Sequence, residues 1–146
     1  MKGRTLIVAT VALAFLAAVP AAPLQAASKK AKLGKKYQAI LDEADTLWAE
    51  YKKADKRFFE KEKTDFDQHI GKLADIQDRL AALHTKWMNT EAPDSIGTAD
   101  FKVGLALELQ MSAIGAEIVG LLDEDQAYMD LSTELDKQYE KVVDDL

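Results

Sequence analysis

From Tyr37 to Phe58 the apolar residues recur at alternating steps of three and four: Tyr37, Ile40, Ala44, Leu47, Tyr51, Ala54 and Phe58. Such steps return a side chain to the same side of a 3.6-residue helix. Leu41 and Trp48 widen the stripe, while Asp42, Glu43, Glu50, Lys52, Lys53 and Lys56 take other faces. A second series, Phe66, His69, Leu73, Ile76, Leu80, Leu83 and Trp87, repeats the pattern with Ile70 and His84 on its flank. Beyond Pro23 the chain has a single proline, Pro93, so nothing breaks these runs. A chain patterned this way folds as amphipathic helices that bury one face each.

The two series are out of register, because Phe58 and Phe66 are eight residues apart. Thr64 with Asp67 resembles a capping box, and Lys61 and Lys63 suit the end of a preceding helix. We therefore expect a reversal at Glu62–Thr64, the alternative being one continuous helix. The segment Asn89–Thr98, with Pro93 and Gly97, marks a break. A third helix is predicted from Thr98 or Ala99 to Leu122. Between Val103 and Leu122 its only charges are Glu108 and Glu117. On a helical wheel Gln110 and Glu117 share a narrow outer face with Ala106, Ala113 and Gly120. Asp123–Asp125 favours the positive start of a further helix, with Asp123 and Gln126 as its capping box. That last helix carries Tyr128, Leu131, Leu135, Tyr139 and Val142 on one face.

Four helices with short connections predict an all-α fold, an up-down-up-down four-helix bundle. A long helical hairpin, or a three-helix bundle with one extended helix, is the alternative. The bundle is expected over residues 37–146.

The N-terminus reads as a secretory signal peptide, residues 1–26. Lys2 and Arg4 precede an uncharged run from Leu6 to Val19, and small residues follow around Pro20 and Pro23. Cleavage is expected after Ala26, or after Ala27. The 14-residue run is short of the roughly 20 residues that span a bilayer. A soluble periplasmic or secreted product is therefore expected. Residues 27–36 form a basic arm with Lys29, Lys30, Lys32, Lys35 and Lys36. Of the 19 basic residues, seven lie at or before Lys36, which leaves 12 against all 25 acidic ones, a balance of −13 from Tyr37 onward. That balance argues against a nucleic-acid partner. The arm allows at most weak electrostatic contact with an anionic membrane surface.

The absence of cysteine removes disulfides, thiol nucleophiles and thiolate metal sites. His69 occupies a seam position, where it can ligate haem iron or another metal or switch charge with pH, or simply reach solvent or a backbone partner at the bundle end. In an antiparallel hairpin turning near Pro93, His84 lies within about a turn of the level of Leu105 or Glu108, so an imidazole–carboxylate pair with Glu108 is expected. Neither histidine has a glutamate three residues before it, so the Glu-x-x-His unit of di-iron bundles is missing. The run Asp123–Asp125 lacks the spacing of a calcium loop. No metal site, no cofactor and no catalytic residue is therefore assigned; His69, His84 and Glu108 stand as cofactor-binding candidates.

The outline of an exported four-helix bundle is similar to that of cytochrome b562, and Pro93–Gly104 (PDS…DF..G) opens the third helix in a comparable way. That family's axial ligands, a methionine early in the first helix and a histidine in the last, have no counterpart here: Tyr37–Phe59 lacks methionine, and no histidine follows His84. From the residues alone the expectation is a non-enzymatic protein acting through protein–protein contact. Its partner, or a second copy, would dock on the apolar third helix. The alternative is a periplasmic carrier that holds haem, a metal or an apolar molecule within the bundle.

Overall fold

The computed structural model describes residues 33–61, 65–90 and 97–146. The leader, the lysines at 29–32, the reversal at Glu62–Thr64 and the break around Pro93 lie outside the described residues. Four helices follow one another: α1 (Lys35–Lys61), α2 (Phe66–Met88), α3 (Gly97–Leu122) and α4 (Gln126–Asp144). Each packs against the next, as in an up-down bundle. α1 starts two residues before Tyr37, so Lys35 and Lys36 belong to the helix and not to the arm.

α1 and α2 are separate helices packed as a hairpin, which rules out a single rod. Tyr37 at the start of α1 donates its hydroxyl hydrogen to the carbonyl of Thr90 just past α2, at 2.9 Å, fixing their antiparallel sense. Along α1 the predicted stripe is buried from Tyr37 to Tyr51, while Ala54 and Phe58 are partly covered. In α2 the buried residues are His69, Ile70, Leu73, Ile76, Leu80 and Leu83. Trp48 of α1 lies against Tyr139 of α4 with ring centroids 4.7 Å apart, joining the first helix to the last.

α3 is the central helix. It is long and apolar enough to cross a membrane, but 78% of its most apolar window is buried within the bundle. Its most extensive partner is α4. The face expected to point outward is buried: Ala106, Gln110, Ala113 and Glu117 are all covered. Small residues at seven-residue spacing let neighbours come close, and that closeness buries the two polar residues between them. Ser132 of α4 donates to the carbonyl of Ala113 at 2.7 Å, and Met129 lies directly over Gly120. Gln110 donates to the carbonyl of Ala44 on α1 at 3.2 Å.

At the opposite face the indole of Trp87 of α2 packs directly against Gly104; a Cβ there would fall 2.3 Å from the ring. The indole N–H is held by the Asp100 carboxylate at 2.9 Å and by its carbonyl at 3.1 Å. The α3–α4 turn places Glu124 in the left-handed region, φ 52°. The Asp125 N–H then reaches the carbonyl of Gly120 at 3.0 Å, closing the end of α3. The N-cap of α4 is Asp125, whose carboxylate accepts from the Ala127 N–H at 2.9 Å, and not Asp123. Gln126 donates instead to Asp130.

Candidate functional site

Of the three sequence candidates, His84 and Glu108 meet as expected. His84 Nε2 lies 2.7 Å from Glu108 Oε1, with both side chains mostly covered. The His84 ring also tilts over Trp87, 5.3 Å between centroids. Burial raises the Glu108 carboxyl above the ordinary value, and the nearby imidazole opposes that rise. The two groups form a close imidazole–carboxylate pair between α2 and α3.

His69 is placed differently from the solvent-facing expectation. It is 1% exposed, and Phe58 of α1 stacks on its ring at 4.1 Å with only 5° between the planes. The stack fixes the ring so that Nε2 points at Asp55 of α1, 3.3 Å away. Although close, the two atoms do not align as a hydrogen bond, and both remain without a partner. Glu117 enters from α3, 4% exposed, and its Oε2 likewise has no partner. One ligand atom from each of Asp55, His69 and Glu117 lies within 4.8 Å of the other two. Three helices thus aim one imidazole and two carboxylates at a common point.

The electrostatics of this point are unusual for a bundle interior. Burial lowers the His69 pKa despite the opposing pull of Asp55, which favours the neutral ring, the form that binds metals. Burial raises Asp55, while Glu117, His69 and Lys52 offset part of that rise. The Glu117 carboxyl is pushed up to about 9, first by burial and then by Asp55 beside it. Tyr51, buried next to both, is raised as well, chiefly by burial and then by the charges of Glu117 and Asp55. Two carboxylates with no buried arginine or lysine between them among the described residues, and three idle lone-pair atoms, make a costly arrangement unless a proton or a cation supplies positive charge.

The Glu-x-x-His criterion missed this cluster because its ligands come one per helix. A signal was nonetheless present. His69 and Glu117 lie equally far from Pro93 along the chain, so an antiparallel hairpin turning there brings them to the same level. Glu108 and Glu117, the charges of α3 beyond Val103, therefore stand beside the chain's two histidines. Asp55 carries no comparable mark, since it sits one position off the α1 stripe.

Beside the cluster, between α1 and α2, runs a cleft of about 410 Å³ lined by Glu50, Lys53, Ala54, Arg57, Gln68, His69 and Lys72. No protein family, no curated protein and no solved structure matches the chain.

Proposed function

We propose that the chain is an exported carrier whose bundle holds a divalent first-row transition cation at Asp55, His69 and Glu117. The observation behind this reading is the convergence of three buried, partnerless N and O donors from three helices. One imidazole and two carboxylates suit zinc, manganese or iron(II), and exclude the soft ions that need thiolates. Bonds of about 2.0–2.2 Å to a tetrahedral ion space its ligands by about 3.3–3.6 Å. The 3.3 Å between Asp55 and His69 is already in that range. A dication would neutralise both carboxylates, displace the proton from Glu117, and join α1, α2 and α3 at one point. Phe58 shields the outer face of the imidazole.

Protein–protein contact through α3 has less support, because a partner or a second copy docking there would have to displace the helices that cover it. The basic arm and the leader belong to the export part of the reading. Soluble material recovered outside the cytoplasm is expected to have an intact mass starting at Ala27 or Ser28.

The decisive experiment is titration of the chelator-treated protein with Zn(II) and Mn(II), followed by calorimetry and thermal unfolding. Saturable one-to-one binding and a rise in Tm are expected, with both lost in Asp55→Asn and Glu117→Gln. Mg(II) and Ca(II), which want more oxygen ligands, should give neither. The reading fails if neither transition ion raises Tm, or if the two variants respond as wild type does.

A further inference from the structure

The cleft beside the cluster is cationic on an otherwise acidic protein. Lys53 and Arg57 line it from α1, Gln68 and Lys72 from α2, and His69 forms its floor. Glu50 is the single carboxylate among the lining residues. It is already engaged: Arg79 reaches both of its oxygens at 2.9 and 3.4 Å, and Lys72 lies 3.6 Å from one of them. Arg79 in particular holds its carboxyl below the ordinary value. Lys53 and Arg57, by contrast, have no carboxylate within ion-pair distance among the described residues.

Two cations without counterions, an amide side chain and a concave space of this size together select for a small anion with several oxygens. A guanidinium presents a planar fork of N–H donors that matches a carboxylate or a phosphate, and an ammonium adds a point charge. His69 contributes its ring to the floor, with Nε2 turned away from the cleft toward Asp55, 3.3 Å distant.

We infer that the α1–α2 cleft is a site for a small multivalent oxyanion, held by Arg57, Lys53 and Lys72, with Gln68 and the His69 ring beneath it. The ligand class is inorganic phosphate or a di- or tricarboxylate. The site stands on its own residues and does not require the cation. Where the metal reading holds, an anion beside His69 and a cation on its Nε2 support each other, so the cargo is a metal together with its counter-anion.

The test is calorimetric titration of the chelator-treated full chain with inorganic phosphate and, separately, with citrate, at fixed ionic strength. Saturable binding of at least one probe is expected, and which one binds names the source. The double variant Lys53→Ala/Arg57→Ala, altered only at exposed positions, should weaken that binding at least tenfold while keeping the wild-type circular dichroism. Lys137→Ala/Lys141→Ala, on α4 away from the cleft, should leave it unchanged. Absence of binding by both probes overturns the inference, as does equal binding by the Lys53/Arg57 variant. Failure of the metal reading is distinguishable, because it appears in zinc titrations of Asp55→Asn and Glu117→Gln and leaves anion binding to the chelator-treated protein intact.

Discussion

Replacing Glu117 by glutamine should make the metal-free protein more stable, although it removes a proposed ligand. Burial and the neighbouring Asp55 push the Glu117 carboxyl from an ordinary 4.5 up to about 9. An acid raised on folding binds its proton more tightly in the folded state. Its contribution is therefore fully kept below about pH 4.5 and is lost progressively as pH climbs toward 9. Each pH unit across that window costs about 1.4 kcal/mol, which makes the loss at most about 3.5 kcal/mol at pH 7. Glutamine has the shape of the protonated acid and has no proton to take up. Urea unfolding followed by circular dichroism in chelator should show the variant ahead by about 2–3 kcal/mol at pH 7. The difference should shrink toward zero at pH 5 and grow at pH 8. Zinc at about a hundred times its Kd should then add about 2.7 kcal/mol to wild type alone, closing the gap. A difference that does not change between pH 5 and 8, or a variant less stable than wild type at pH 8, would refute the account of a buried, proton-holding acid.

Gly104→Ala drives a methyl into the Trp87 ring, 2.3 Å from its nearest carbon. Overpacking of about 1–3 kcal/mol outweighs the helix-propensity gain of about 1 kcal/mol. A net loss is therefore expected, with red-shifted tryptophan emission as the indole leaves Asp100, and Trp87→Leu in the same chain should relieve it. His84→Ala strands the Glu108 carboxylate in its covered position and should cost about 1–3 kcal/mol in urea unfolding. Adding Glu108→Gln to that variant should restore part of the loss, whereas no recovery would mean the pair is not what holds this level of the bundle. Glu124→Gly removes the side chain from a left-handed position and should raise stability by about 0.5–1 kcal/mol in the same assay.

The fold was readable because periodicity, the scarcity of proline and the paired breaks all report on local structure, and a bundle is mostly local structure plus short connections. The stripes of α1 and α2 fix which faces meet, and the offset between Phe58 and Phe66 exposes the turn. α3 was harder to orient. A helix apolar on nearly every side has no preferred inward face, so its two polar residues were assigned to the outside. The small residues at 106, 113 and 120 decide otherwise, since they draw α4 and α1 onto that side. The same ambiguity hid the site. His69 was visible as a seam histidine, but its partners depended on the orientation of Glu117 and on a position, Asp55, that lies just off the stripe. Register logic found His84 with Glu108, a pair between consecutive helices. A cluster drawn from three helices needs the angles between them, which sequence spacing does not encode.

The uneven attachment of the helices gives the site a direction of opening. α3 and α4 share the largest contact, whereas α1 lies mainly on α2 and meets α3 only lightly. Local opening should therefore begin with α1, leaving the α3–α4 pair as the last unit to exchange its amide hydrogens. Asp55 and the Phe58 cover both ride on α1, and Lys53 and Arg57 ride with them. One motion, the lifting of the distal end of that helix, would uncover His69, detach one carboxylate and dismantle the cationic cleft together. An ion held at this point would leave by the bundle unlatching along its weakest seam, with Glu117 and its helix staying in place as the fixed half of the latch.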